Sequence, residues 1–227
     1  LLRADRIRAE LPGSTTRARG ADLTVRRIEL DAPQLDLPAL QRWLATRPPS
    51  KEPRLPTLTD GLRIVRGNVA GDGWRVEQIH VDVPSFHPDR AVRARLLGRF
   101  ATGELRVPFD VRAALTRPAA QAGLGVVGNV NVLSRPWTMP MRMRLSGRLH
   151  NGADGIGLDG MRVGADATYR NGETDLAFTY GLAGPLRVCD GTLRIAPLGA
   201  VVYGSGAVPN LQGTGAFAFG DSLSLQL

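Results

Sequence analysis

The three histidines are the first residues whose side chains could do chemistry, because imidazole binds metal ions and exchanges protons near neutral pH. They are His80, His87 and His150. His80 and His87 are seven residues apart on either side of a short strand-like segment, which matches no standard metal-ligand spacing. The single cysteine, Cys189, excludes both an intramolecular disulfide and a zinc site made of several thiolates. We therefore predict no metal site and interpret the histidines as exposed or capping residues.

Motifs for nucleophilic catalysis and nucleotide binding are incomplete. No serine lies in a Gly-x-Ser-x-Gly context, and Ser205 lies in a glycine-rich segment that is typical of a strand end. Residues 123–128 match Gly-x-Gly-x-x-Gly, but residues 129–132 continue as a strand-like segment. A dinucleotide site requires a helix at that point. We therefore predict a glycine-rich strand there, with no catalytic residue and no cofactor.

Carboxylates offer one further catalytic possibility, because glycosidases use a pair of them across a cleft. Glu104 and Asp110 are the most plausible pair for an enzyme acting on polysaccharide, although no supporting motif surrounds them. Asp154 and Asp159 bracket a glycine-rich segment but match neither the EF-hand nor the nonapeptide calcium repeat. We interpret these two aspartates as turn formers and expect a non-catalytic protein.

The dominant pattern is an alternation of apolar and polar residues over many short segments. In an extended strand this alternation places apolar side chains on one face and polar ones on the other. Such segments are typical of half-buried antiparallel strands, so we predict a mainly β fold. The apolar members of the rows are Val81, Val83, Leu105, Val107, Phe109, Val111, Met139, Met141, Met143, Leu145, Leu176, Phe178, Tyr180, Leu223 and Leu225.

Turn signals and one helical segment complete the predicted architecture. Four dipeptides that favour tight hairpins separate the strand-like segments: Asn151-Gly152, Asp159-Gly160, Asn171-Gly172 and Asp190-Gly191. We predict an extended, twisted antiparallel meander sheet. One short helix is expected near 37–46, capped by Asp36 and followed by a proline-rich loop at 47–56. The chain is treated as a single unit, 1–227, with a soft internal break near 116–123.

Charge and hydropathy exclude some functions. The net charge is +8, and it comes from one lysine and twenty-eight arginines that are spread along the chain. Aromatic residues are only 5% of the chain, so the interleaving of basic and aromatic residues that is typical of nucleic-acid binding is absent. No apolar run approaches the ~20 residues that cross a bilayer. The chain begins without methionine, and we interpret it as a fragment.

Two segments resemble AsmA-like proteins. Residues 25–37 are similar to the family pattern V-x-x-I-x-L-x-x-P-x-L-x-L, and residues 191–204 resemble G-x-L-x-x-x-P-L-x-A-x-x-Y-G. A departure is Ser205, where family members often carry a second glycine. The resemblance implies that the sheet curls into an open periplasmic groove, whose candidate lipid-lining residues are the apolar rows given above, and that the full-length protein is anchored in the inner membrane of Gram-negative bacteria. It also implies outer-membrane biogenesis and phospholipid transport, with phospholipid or another acyl-chain lipid, and envelope proteins, as partners.

Two other interpretations stay open. An apolar row on a strand usually packs against a core, so a second sheet could cover the first and give an ordinary sandwich. The chain could also be a scaffolding domain of an envelope or secretion assembly that recruits partners by strand addition at its edges. A groove becomes the better interpretation because one helix cannot cover so many strands.

Overall fold

A computed structural model describes most of the chain as β-structure. The described residues are 2–11, 24–46, 55–71, 73–119, 121–152, 155–189, 192–195, 199–208, 211–217 and 223–226. The strands are β1 Leu2–Arg3, β2 Arg6–Glu10, β3 Thr24–Val25, β4 Arg27–Asp31, β5 Gln34–Asp36, β6 Thr57–Leu58, β7 Leu62–Ala70, β8 Trp74–Val83, β9 Val92–Thr102, β10 Leu105–Leu115, β11 Gly123–Ser134, β12 Trp137–Gly152, β13 Gly155–Asn171, β14 Thr174–Cys189, β15 Thr192–Ile195, β16 Gly199–Val208, β17 Leu211–Phe217 and β18 Leu223–Gln226. The helix α1 spans Leu37–Ala45.

Sixteen of these strands form one open, twisted sheet. From β7 to β14 each strand pairs antiparallel with the next strand along the chain, as in a meander. Beyond β14 the sheet divides, because β15 pairs with the end of β14 and β16 pairs with its beginning. The predicted fold class, an extended antiparallel meander with one short helix, is confirmed.

The beginning of the large sheet contains parallel pairs, which the alternation pattern does not predict. Strands β4 and β5 both pair parallel with β7, and β3 and β6 form a separate two-stranded parallel sheet. Parallel neighbours need a crossover connection, usually a helix. Here α1 lies in the connection between β5 and β7, so the short helix that the sequence predicts is the crossover element.

The helix begins as predicted. The backbone N–H of Ala39 donates a hydrogen bond of 2.8 Å to Oδ1 of Asp36, which satisfies one of the amides that a helix leaves unpaired at its start. Pro38 occupies the first turn, where a missing N–H costs nothing. Within the described part of the chain, the only strand with which α1 makes appreciable contact is β5, which it directly follows, so α1 does not form a layer over the sheet from β8 onward.

The turn predictions have mixed outcomes. Asn171-Gly172 forms the hairpin between β13 and β14, with Gly172 at a φ of 59°. Asp159-Gly160 is not a hairpin: it lies inside β13, where the register with β14 shifts between Leu158 and Met161. A positive φ of 55° at Gly160 allows this bulge, so the same dipeptide that closes a hairpin instead bends a strand.

The predicted break near 116–123 is a hairpin connection, since β10 and β11 pair along their length on either side of it. The sheet is therefore continuous there. Of the predicted proline-rich loop at 47–56, residues 47–54 lie outside the described residues, as do Asp190-Gly191 and Asp154.

Burial is limited for a chain of this length. The buried apolar residues of the described part are Val25, Leu58, Val83, Val92, Ala101, Ala122, Leu158, Met161, Ala165 and Ala167. Across the middle of the sheet most apolar side chains are half-buried. Strands make extensive contacts only with their hydrogen-bonded neighbours, so the described sheet is a single layer.

The apolar face as the candidate functional site

Strand register places apolar residues of six neighbouring strands in continuous rows. Residues that pair directly across an antiparallel ladder lie on the same face. One such row crosses β9 to β14 and contains Gly98, Phe109, Val130, Met141, Ala167 and Phe178. The next row, two residues along each strand, contains Leu96, Val111, Gly128, Met143, Ala165 and Tyr180. We call the surface that carries these rows on β8 to β14 the apolar face.

The structure brings the predicted groove residues together. Alternation and register place Val81 and Val83 of β8 on the apolar face, and Val81 pairs with Leu96. The same holds for the predicted residues of β10, β12 and β14, which are Leu105, Val107, Phe109, Val111, Met139, Met141, Met143, Leu145, Leu176, Phe178 and Tyr180. In β18, Leu223 pairs with Ile195 and Leu225 pairs with Leu193 in the backbone register.

The apolar face is not covered by a second layer among the described residues. Of the predicted residues with described side chains, only Val83 is buried, with 8% of its surface exposed, and the others are half-buried. A residue that packs in a sandwich core is closed on both sides. The sandwich interpretation is therefore wrong for the described part of the chain.

Small residues give the apolar face an uneven relief. On β13, Ala165 and Ala167 are 4% and 5% exposed, because larger side chains on β12 and β14 rise on both sides of them. On β9, a Cβ at Gly98 would come within 2.8 Å of Cζ in the Phe109 ring, so that ring lies over the glycine. The face is therefore lowest where alanine or glycine replaces a large side chain.

Aromatic pairs mark one end of the strands on this face. Trp74 and Phe100 stack with their ring centroids 6.1 Å apart, and Trp137 lies 5.8 Å from Tyr169. Tryptophan and tyrosine have an apolar body and one polar group, so they suit the boundary between hydrocarbon and water. The sequence analysis missed these four residues as parts of the site. Their place in the rows follows from register, which alternation within one strand does not reveal.

The opposite surface, which we call the polar face, carries ion pairs between neighbouring strands. Arg95 donates two hydrogen bonds to Asp110, of 3.1 and 2.7 Å, and Arg99 donates bonds of 3.1 and 2.6 Å to Glu77. The Arg95 hydrogen bond holds the pKa of Asp110 below its ordinary value. The Arg99 and Arg75 hydrogen bonds do the same for the pKa of Glu77. These ion pairs balance charge on the polar face, and because they are exposed to water each contributes little to stability.

The other candidates for chemistry are placed apart. Glu104 lies in the turn between β9 and β10, whereas Asp110 lies six residues along β10. That distance is about 20 Å along a strand, well beyond the ~6.5–9.5 Å that an inverting glycosidase needs. The proposed carboxylate pair is therefore wrong as a pair.

Two of the three histidines, His87 and His150, have local partners. Nδ1 of His87 accepts a hydrogen bond of 3.1 Å from the backbone N–H of Asp89, and His150 Nδ1 lies 3.2 Å from Asp159 Oδ2. Among the described residues, no group of three His, Cys, Asp or Glu side chains has the arrangement of a metal site.

Comparison with known proteins gives no relative: no protein family, no curated protein and no solved structure matches the chain. Within the described ranges, no helix has the length and apolar character that a membrane-spanning helix requires.

Proposed function

We propose that this chain is a non-catalytic periplasmic domain of an AsmA-like protein, and that its apolar face holds the acyl chains of phospholipid during transport for outer-membrane biogenesis. The observation that carries the proposal is the half-buried apolar face of β8 to β14, which has no covering layer in the described part of the chain. The family and the periplasmic location rest on the two sequence segments at 25–37 and 191–204.

Energetics support an acyl ligand. Each methylene exposed to water costs ~0.8 kcal/mol, so a sixteen-carbon chain crossing an aqueous compartment costs ~12 kcal/mol. Six strand spacings of ~4.8 Å separate β8 from β14, which gives an apolar face about 29 Å wide. The acyl chains of one lipid leaflet span about half of the ~30 Å hydrocarbon core of a bilayer. An acyl chain that lies across the strands therefore fits within the width of the apolar face.

The lining suits chains of variable shape. Met139, Met141 and Met143 follow one another on the apolar face of β12, and methionine adapts to irregular surfaces through its flexible thioether. Binding of this kind needs neither a nucleophile nor a metal ion.

The test is mass spectrometry of lipid that copurifies with the protein from Gram-negative cells. Val130→Asp places a charge in the middle of the apolar face, and we expect it to reduce bound phospholipid at least tenfold. Asn129→Asp adds the same charge one residue away on the polar face, where Asn129 is exposed, and should leave bound phospholipid unchanged. Val130→Thr, which keeps the shape of the side chain, serves if the aspartate variant does not fold.

The opposite result would be clear. The lipid function would be contradicted if the unchanged protein carried no phospholipid. It would also be contradicted if the Val130 and Asn129 variants lost bound phospholipid equally.

A scaffolding function is the second candidate. Strand β17 pairs only with β16 within the described part of the chain, so its other side offers unpaired backbone groups for strand addition. Capture of a defined envelope protein by lipid-free protein would favour this function over lipid transport.

A further inference from the structure

Four arginines surround a recess on the polar face, on the side of the sheet opposite the proposed lipid surface. Arg95, Arg112, Arg142 and Arg144 line a depression of about 520 Å³, together with Asp110, Val127, Gly128, Asn129 and Met143. The apolar-face proposal gives no role to this cluster, so its charge needs a separate explanation.

Register brings the four guanidinium groups close together. Arg112 pairs directly with Arg95 on one side and with Val127 on the other, and Val127 pairs with Arg144. Two strand spacings of ~4.8 Å thus separate the backbones at Arg112 and Arg144 by about 10 Å. Val127 between them is short and 49% exposed, so it forms the floor of the recess.

Acidic residues neutralise only part of the charge of the cluster. Asp110 is held by the two hydrogen bonds from Arg95 and influences Arg112 only through its charge. Asp166 pairs with Arg142 in the backbone register, but its Oδ1 accepts a 2.8 Å hydrogen bond from Thr179.

In the described part of the chain, Arg112, Arg142 and Arg144 have neither a hydrogen bond nor an ion pair within 4.0 Å. Arg95 and Arg112 lie directly opposite each other, and like charges in that arrangement destabilise a sheet.

We infer that this arginine recess binds the phosphate group of a small soluble anion. Guanidinium groups match phosphate oxygens with paired hydrogen bonds, and three unpaired groups around one depression can contact one phosphate from several sides. An extended membrane fits less well, because only a small group can enter the depression and reach its floor at Val127.

The test is isothermal titration calorimetry of the whole chain with inorganic phosphate and with inorganic pyrophosphate at low ionic strength. The triple variant Arg112→Gln, Arg142→Gln and Arg144→Gln should weaken phosphate binding at least tenfold. Its matched control changes Arg93, Arg148 and Arg162 to glutamine, since these three arginines are exposed on the same sheet but do not line the recess. The control has the same net charge and should bind phosphate within twofold of the unchanged protein.

Each other outcome overturns the inference. Equal weakening in both triple variants would indicate general attraction by net charge. Absence of phosphate and pyrophosphate binding to the unchanged protein, or binding only to phosphatidylglycerol vesicles, would exclude a site for a small anion. Should the recess variant lose its far-ultraviolet circular dichroism, Arg144→Gln alone gives the decisive comparison against Arg148→Gln.

Discussion

The hydroxyl group of Tyr180 on β14 donates a hydrogen bond to Sδ of Met141 on β12, 3.5 Å away, across the intervening strand β13. The bond is possible because β13 presents Ala165 and Ala167 at this point, so no large side chain separates the two partners. The hydrogen bond thus joins β12 and β14, two strands of the apolar face that are not neighbours in the sheet.

Removal of the Tyr180 hydroxyl group should show how much this hydrogen bond contributes to the stability of the protein. Tyr180→Phe keeps the ring and removes one hydrogen bond to sulfur, so we expect a loss of about 1 kcal/mol or less in the free energy of unfolding. Urea denaturation measures it. Burial raises the pKa of Tyr180, so the folded state resists its ionisation.

The raised pKa of Tyr180 determines how stability depends on pH. The unfolded chain loses the phenolic proton first, so stability is unchanged below the ordinary pKa of 10.0 and falls as the pH rises beyond it. The Tyr180→Phe protein should lack this alkaline loss. An identical alkaline limb in both proteins would contradict the assignment.

Gly128 on β11 should tolerate no side chain. A Cβ at this position would lie 2.3 Å from the carbonyl oxygen of Asp110, which is backbone and cannot move aside. We expect Gly128→Ala to destabilise the protein by about 1–3 kcal/mol. Gly125 on the same strand has open space around its Cβ position, so Gly125→Ala is the control and should be neutral or slightly stabilising. Thermal unfolding of the two variants tests this prediction, and equal melting temperatures of Gly128→Ala and Gly125→Ala would contradict it.

Alternation within each segment was sufficient to predict the β fold and the membership of the apolar face, because side-chain direction has a period of two in any strand. It could not predict which strands are neighbours. The parallel pairing of β4 and β5 with β7 depends on the path of the chain through α1, and no local pattern encodes that path.

Local rules were also overridden by the sheet. Pro108 and Pro140 lie in β10 and β12, which have neighbours on both sides, although proline normally avoids such strands because it lacks the N–H of the ladder. Asp159-Gly160 is a second exception, because this dipeptide favours a hairpin turn but forms a bulge inside β13. The arginine recess was not predicted either, since Arg95, Arg112 and Arg144 come from three strands and meet only through register.

Asp159 should contribute to stability at neutral pH and not in acid. Hydrogen bonds from Arg187 and from His150 lower the pKa of its carboxyl group, so the folded state holds the ionised form more strongly than the unfolded chain does. The unfolded state therefore binds the proton first, and this contribution is lost as the pH falls below the ordinary pKa of 3.8.

Asp159→Asn should accordingly lower the urea midpoint at pH 7. It should also make the urea midpoints at pH 7 and pH 3 differ less than they do in the unchanged protein. Asp89→Asn is the control, since Asp89 is exposed and its carboxylate makes no hydrogen bond in the described part of the chain. A pH profile that is equally steep in the Asp159 and Asp89 variants would contradict the prediction.

The three tryptophans allow the location of an acyl chain to be measured without crystals. Trp74 and Trp137 lie on the apolar face at one end of the strands, whereas Trp43 lies on α1, outside that face. Bromine atoms on an acyl chain quench indole fluorescence on close contact. Protein with Trp43→Phe, which keeps both face tryptophans, should therefore be quenched by phospholipid that carries brominated chains. Protein with Trp74→Phe and Trp137→Phe, which keeps only Trp43, should retain its fluorescence. Equal quenching in both proteins would place the chains elsewhere, because Trp43 lies on α1, outside the apolar face.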